Sequence, residues 1–160
     1  MKLTHISQVK EEFRVLGVAA TRTALGFLAV GVVYRGNKEL DGVLSRNDEQ
    51  SLSEIICDML LDSKHHGQVR LILLDESILP EPVNIEAIWE QTGKPVLVIT
   101  KDRDVDSRCM FLYREHVISV AGIDEESAKR VMKVIYGDSG SEALRISGII
   151  LESISELHNV

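Results

Sequence analysis

The chain has 160 residues, of which 44% are hydrophobic and 27% are charged, proportions that are ordinary for one globular domain with a single core. Only 11 Gly and 3 Pro are present, which leaves little room for a disordered linker, so a single domain over residues 1–160 is expected. The formal net charge of −7 argues against a protein that coats nucleic acid non-specifically, because such coating needs Lys and Arg at the phosphates. A local basic groove is still compatible with this net charge.

No apolar stretch reaches the ~20 residues needed to cross a bilayer. Residues 1–14 mix Lys, Glu and His without the apolar block of a secretory signal. We therefore expect a cytoplasmic protein with no membrane contact. Cys57 and Cys109 have no partner at metal-ligand spacing, which predicts two buried thiols rather than a disulfide or a zinc site.

Three strands joined by tight turns are predicted at the start of the chain, at residues 13–20, 24–34 and 40–44. Gly36-Asn37 lies between the second and the third, and both residue types accept positive φ at a hairpin tip. A three-stranded meander should therefore open the fold.

The pattern then changes to helical spacing. Ser51 and Glu54 have the spacing of a capping box, which predicts a helix that begins there and ends near residues 65–67. Residues 69–74 form a continuous apolar run before Asp75, and such a run is typical of a central strand covered on both faces.

The second half of the chain alternates between strands and helices. A helix at 83–91 should stop at Gly93, where glycine accepts the left-handed conformation. The remaining predicted elements are a strand at 95–100, a charged loop at 101–109, short strands at 110–113 and 117–120, a helix after Asp124, and a last helix capped by Ser139 with Glu142. A meander followed by such units predicts an α/β fold with a mixed sheet, and it argues against a flavodoxin-like order, which starts strand-helix-strand.

Six segments in order resemble the successive blocks of an archaeal family of unknown function. They are RVLGV (14–18), VGVVYRG (30–36), DGV (41–43), QVRLILLD (68–75), TGKPV (92–96) and EALRI (142–146). The family is domain of unknown function ninety-nine, which is similar in fold to endonuclease V. The resemblance implies a ribonuclease H-like mixed sheet, with a three-stranded meander followed by alternating helices and strands.

The resemblance also implies a site in which carboxylates converge from the first strand, the region before the first helix, and the fourth strand. Chemistry of this kind uses two Mg²⁺ ions about 4 Å apart to clamp the attacking and leaving oxygens of a phosphodiester. Asp48 and Asp75 match two of those positions and are the candidate catalytic residues and metal ligands. Where the family has an acidic pair on the first strand, this chain has Ala19-Ala20.

Two further departures affect the candidate site. Ser51 stands where the family has a second Asp before the first helix, and Gly148 stands where it has a His in the last helix. The family's Arg in that helix is present as Arg145, a candidate substrate ligand for phosphate. Glu49 or Glu76 is a candidate replacement for a missing ligand, but adjacent strand residues point to opposite faces, so at most one of Asp75 and Glu76 faces a shared site.

Three functional hypotheses follow. The leading one is a catalytically degenerate endonuclease V-like domain that needs no cofactor and retains a contact with nucleic acid or protein. The second is a Mg²⁺-dependent endonuclease that cleaves phosphodiester bonds of DNA or RNA with Asp48 and Asp75. The third is a homo-oligomeric interaction module, such as a homodimer formed through an apolar strand edge or helix face.

Overall fold

The computed structural model describes residues 2–100 and 110–158, except for the side chain of residue 158. A seven-stranded mixed sheet has the order β3-β2-β1-β4-β5-β7-β6. Its strands are β1 (Arg14–Thr23), β2 (Gly26–Arg35), β3 (Glu39–Asp48), β4 (Leu71–Asp75), β5 (Val96–Thr100), β6 (Met110–Tyr113) and β7 (His116–Ala121). The helices are α1 (Leu52–Leu61), α2 (Ile85–Thr92), α3 (Glu125–Ile135) and α4 (Glu142–His158). Among these described helices, none is long and apolar enough to cross a membrane.

The predicted meander is confirmed. β1 pairs antiparallel with β2 from Arg14 to Thr23, and β2 pairs antiparallel with β3. Gly36 turns the chain between β2 and β3 with a φ of 56°, and a Cβ at this position would overlap the carbonyl oxygen of Glu11. The turn therefore needs glycine for two independent reasons.

The sheet separates two cores. On one face, which we call the α1 face, α1 and α2 pack on residues such as Leu16 and Ile72. On the other, the α4 face, α3 and α4 pack on residues such as Val15 and Leu73. Because side chains alternate along a strand, even-numbered residues of β1 and β4 face α1 and odd-numbered ones face α4.

The central strands lie where the sequence predicts them. Residues Leu71 to Leu74 of β4 are all fully buried, and β4 pairs parallel with β1 on one side and with β5 on the other. Gly93 follows α2 with a φ of 73°, as predicted. The short strands predicted near 110 and 117 are β6 and β7, whereas the predicted loop at 101–109 lies outside the described residues.

The first helix is shorter than predicted. Ser51 caps it, since its Oγ accepts a hydrogen bond from the Glu54 N–H at 3.2 Å, but α1 ends at Leu61 instead of near residues 65–67. Ser63 closes the last turn because its Oγ donates to the Leu60 carbonyl and accepts from the His65 N–H. The ring of His65 then packs where a side chain at Gly42 would otherwise lie.

Cys57 on α1 is buried, as predicted. Burial, with smaller contributions from the charges of Asp58 and Glu54, raises the pKa of its thiol to about 11. Cys109 lies outside the described residues.

The last helix begins differently from the prediction. Ser141, not Ser139, supplies the capping hydroxyl, which accepts from the Leu144 N–H at 3.2 Å. The Glu142 N–H donates to Asn37 Oδ1 at 2.7 Å, so the tip of the β2–β3 hairpin also caps α4. A side chain from another part of the chain thus satisfies a donor that the local motif leaves unpaired.

Close contact between α4 and β1 fixes the position of the helix. A Cβ added at Gly17 would lie 2.8 Å from both the carbonyl carbon and the Cβ of Ala143. The helix backbone therefore rests directly on the strand, and no side chain fits between them.

We expect Gly17→Val to lower the free energy of unfolding by about 2–3 kcal/mol, because the new side chain forces α4 away from the sheet. Urea denaturation measures this change. Gly67→Val is the matched control, since nothing lies within 4 Å of a Cβ built there. Equal effects of the two substitutions would contradict the close packing.

Candidate functional site

A groove lies at the carboxyl ends of β1 and β4, beside α4. Its volume is about 440 Å³, and a separate cavity of about 340 Å³ adjoins it. Apolar, small and hydroxyl side chains line the main groove: Ala19, Ala20, Thr21, Ser77, Ile78, Leu79, Pro80, Gly148, Leu151, Glu152 and Ser155. Glu152 is the one acidic residue in this described lining, so the groove is nearly uncharged.

Ala19 and Asp75 are neighbours in the sheet. The parallel register joins Val15 with Leu71 through Val18 with Leu74, and the next residues in that register are Ala19 and Asp75. Both positions lie on the α4 face by alternation, and Asp75 is level with Ile99 of β5. The position where the resemblance implies a first-strand carboxylate is therefore occupied by a fully buried methyl group.

Asp75 caps a 3₁₀ turn that spans Glu76–Ile78. Its Oδ1 accepts from the Ser77 N–H at 2.8 Å and from the Ser77 hydroxyl at 2.7 Å. This carboxylate thus positions the segment that forms one wall of the groove.

Asp48 lies on the opposite face of the sheet. It is paired with Phe27 of β2, which belongs to the α1 core, and its neighbour two residues earlier, Arg46, reaches the acidic residues of α1. Asp48 Oδ2 lies 3.6 Å from Arg46 Nη2, while Asp48 Oδ1 accepts from the Glu49 N–H at 2.7 Å. The structure therefore does not bring Asp48 and Asp75 together.

These positions do not fit the two-metal arrangement that the resemblance implies. Asp48 and Asp75 are separated by the sheet, and each carboxylate already accepts hydrogen bonds from the protein. Glu49 is exposed after β3, and Glu76 begins the 3₁₀ turn. Among residues 2–100 and 110–158, no group of three or more His, Cys, Asp or Glu side chains has an arrangement suited to a metal ion. The catalytic role of the two aspartates stays a prediction.

Arg145 and Gly148 lie one turn apart on α4, but only Gly148 lines the groove. The Nε of Arg145 donates to Glu142 Oε2 at 2.6 Å, and the Arg145 side chain is largely exposed. To bind a phosphate, as predicted, Arg145 would have to break this ion pair with Glu142.

Two features were not predicted from the sequence. One is the adjoining cavity at the β1–β2 turn, which shares Thr21 and Ser155 with the groove and includes Arg22. The other is Arg46, which lies 3.9 Å from Asp58 on α1 and 2.8 Å from Asp62, the residue that caps the end of α1. The signal for Arg46 was present: it shares strand parity with Asp48, and Asp58 and Asp62 are four residues apart.

Relatives of this chain occur among archaeal proteins of the UPF0215 family, whose function is unknown. The Methanothermobacter thermautotrophicus protein is 36% identical over 110 residues, which is 63% of this chain and 54% of the relative. The Methanosarcina barkeri protein is 33% identical over 58% of this chain and 51% of the relative. The chain thus spans about half the length of these curated relatives. The Pyrococcus furiosus protein is 24% identical over 93% of this chain and 95% of the relative. No family model matches the chain.

Solved structures show the same fold. A protein of unknown function from Archaeoglobus fulgidus has a TM-score of 0.71 at 19% identity, over 89% of this chain and 98% of that one. Endonuclease V from Bacillus subtilis has a TM-score of 0.65 at 11% identity, over 98% and 87%. Endonuclease V from Ciona intestinalis, solved with a 24mer DNA that contains an inosine followed by a ribo-adenosine, has a TM-score of 0.62 at 9% identity, over 90% and 86%. The predicted resemblance and the ribonuclease H-like fold class are confirmed.

A substitution at Gly148 tests whether the groove is open at this position of α4. Nothing lies within 4 Å of a Cβ built at this position, although glycine inside a helix is less favourable than alanine by about 1 kcal/mol. We expect Gly148→Ala to raise the free energy of unfolding by about 0.5–1 kcal/mol. Urea denaturation beside the wild type measures the difference, and a loss of stability would show that the groove is closed at this point.

Proposed function

We propose that this chain is an endonuclease V-like domain that binds nucleic acid without cleaving it. The observation that carries the proposal is the buried methyl group of Ala19 beside Asp75. Metal-dependent phosphodiester cleavage needs a set of carboxylate oxygens around the ions, and here one position lacks an oxygen while Asp48 is on the other face. In this proposal the domain needs no cofactor.

The shape of the groove supports a base as the bound group. The partly exposed side chains of Ile78, Leu79 and Leu151 give apolar surface, and the hydroxyls of Thr21 and Ser77 give hydrogen-bonding groups at its sides. An unstacked base presents an apolar face and polar edges of the same kind. The likeness to a DNA-bound endonuclease V adds support at the level of the fold.

We expect a fluorescein-labelled single-stranded 24mer, with or without one deoxyinosine, to bind the wild-type chain in EDTA. Gly148→Leu should weaken this binding at least about tenfold, because its side chain fills the groove and loss of one stacked base removes about 1–3 kcal/mol. Fluorescence anisotropy measures the affinity. Gly67→Leu is the control, since Gly67 lies before β4, at the opposite end of that strand from the groove, with open space around it.

The same oligonucleotides distinguish the enzyme hypothesis. Incubation with Mg²⁺ or Mn²⁺ should leave the DNA and its RNA counterpart intact. Cleavage that disappears in Asp75→Asn would overturn the proposal in favour of a Mg²⁺-dependent endonuclease. Absence of any nucleic-acid binding would overturn it in favour of a protein contact.

A homodimer is a second candidate, favoured by β3, the edge strand beyond which no further strand pairs among the described residues. On the α4 face of β3, the residues paired with Tyr34, Val32, Val30 and Leu28 are all uncharged: Leu40, Val43, Ser45 and Asn47. Leu40 and Val43 are 48% and 47% exposed. In a chain with net charge −7, this uncharged α4 face of β3 is where two copies would repel each other least.

Light scattering over a concentration series tests this second candidate. If β3 pairs with a second copy, Val43→Lys should shift the protein to the monomer, because it places two charges in a buried interface. Leu112→Lys is the control, since Leu112 is exposed on β6 at the other edge of the sheet. A wild-type monomer at high concentration would argue against the homodimer.

A further inference from the structure

Four cationic residues lie side by side at the edge of the sheet where β1, β4 and β5 begin, opposite the groove. Arg14 pairs with Arg35 of β2, and its carbonyl accepts from the Arg70 N–H at 2.9 Å. The register of β4 with β5 then puts Lys94 beside Arg70. We call Arg35, Arg14, Arg70 and Lys94 the basic row. Like charges on neighbouring strands repel each other, so the row lowers stability unless anions offset it.

Acidic side chains offset only the Arg35–Arg14 half of the basic row. Asp41 accepts from Arg14 Nε at 2.8 Å and lies 3.0 Å from Arg35 Nη2. In the part of the chain that the structure describes, neither Arg70 nor Lys94 forms an ion pair with an acidic side chain. Burial, and then the charge of Arg70, lowers the pKa of Lys94. Two adjacent positive charges thus lack a counterion, although the chain has 25 acidic residues and 18 Lys and Arg.

A cavity of about 310 Å³ lies beside Arg14 and Arg70. This volume is at the lower end of the roughly 300–1,000 Å³ that small-molecule sites occupy. Lys10 also lines the cavity, and Glu12 is the one acidic residue in its described lining. The Arg70 guanidinium lies 6.0 Å from the centre of the Phe13 ring, which lines the same cavity. The unpaired charge of the basic row is therefore at the wall of a space that can hold a ligand.

We infer that this cavity is an anion site in which Arg70 and Arg14 bind a phosphate group. A guanidinium presents parallel N–H groups that match two oxygens of a phosphate, and the charges of Lys10 and Lys94 add to the attraction. The phosphate comes either from a small molecule or from a nucleic-acid strand. We expect the small molecule, because the cavity has room for a phosphate and little beyond the group that carries it. The site lies at the opposite end of β4 from the groove, so the inference does not rest on the proposed function.

Isothermal titration calorimetry with sodium pyrophosphate, at constant ionic strength, tests the inference. Arg70→Met keeps the apolar stem beside Phe13 but removes the charge, so affinity should fall at least about tenfold as charge-assisted hydrogen bonds are lost. Lys10→Met, a second variant at an exposed position, should also weaken binding. Lys129→Met is the matched control, because Lys129 pairs with Glu125 on α3 and is not in the described lining. It should bind as the wild type does.

Stability without phosphate separates a binding role of Arg70 from a structural one. Because Arg70 is repelled by the cations beside it, Arg70→Met should have a Tm in sodium chloride equal to that of the wild type or up to about 3 °C higher. Pyrophosphate should raise the Tm of the wild type more than that of the variant. A structural role predicts the opposite, which is a lower Tm in chloride and an unchanged response to pyrophosphate.

Thymidine monophosphate and a short oligothymidylate distinguish the two sources of the phosphate. A small ligand predicts that pyrophosphate and the monophosphate both bind through Arg70. Binding of the oligonucleotide alone through Arg70 would contradict the small ligand and assign the phosphate to a strand. The inference is overturned if none of the three binds, or if Arg70→Met binds them as tightly as Lys129→Met does. Base binding at the groove is tested with different variants, so this failure and failure of the proposed function are distinguishable.

Discussion

The parallel pairing of β1 with β4 is the constraint on which the chemistry of this domain depends. Its register places position 19 beside Asp75, and the alternation of side chains then puts both on the α4 face. Gly17, two residues earlier on the same face, lets α4 lie against β1 so closely that Gly148 reaches the edge of the groove. A one-residue slip of β1 would exchange every side chain between the two cores, so this arrangement is fixed by the packing of both.

The two faces of the sheet differ in charge. On the α4 face, an alanine stands where the resemblance implies an acidic ligand, so there is less negative charge to neutralise. On the α1 face, Arg46 lies 3.6 Å from Asp48 and donates a hydrogen bond to Asp62 at 2.8 Å. Neither feature involves the apolar residues of the two cores, so the packing of the fold does not depend on either.

Most of the fold could be predicted from sequence because its signals are local. The apolar runs of β1, β2, β4 and β5, the cap at Ser51 and the glycine after α2 all act within a few residues. The errors arose at helix ends: α4 is capped by Ser141 and by the distant Asn37, and Ser63 closes the last turn of α1, so two serine caps compete with other local signals. The candidate site was predicted less well than the fold. The separation of Asp48 from Asp75 depends on which face of the sheet each residue occupies. The bulge in β3, opposite Val33 and Tyr34, makes that face hard to assign from sequence.

The charge around the groove limits how nucleic acid would be held there. Among the described residues that line the groove and its adjoining cavity, Arg22 is the only Lys or Arg, and its guanidinium lies 5.1 Å from the centre of the Phe27 ring. In the proposed complex, displacement of counterions from phosphates would therefore be a small part of the binding free energy. Stacking of a base on apolar surface and hydrogen bonds to hydroxyls would have to supply the rest. A binding mode of this kind would suit a chain of net charge −7, because it would bring one base close to the protein while most of the phosphates stayed in solvent.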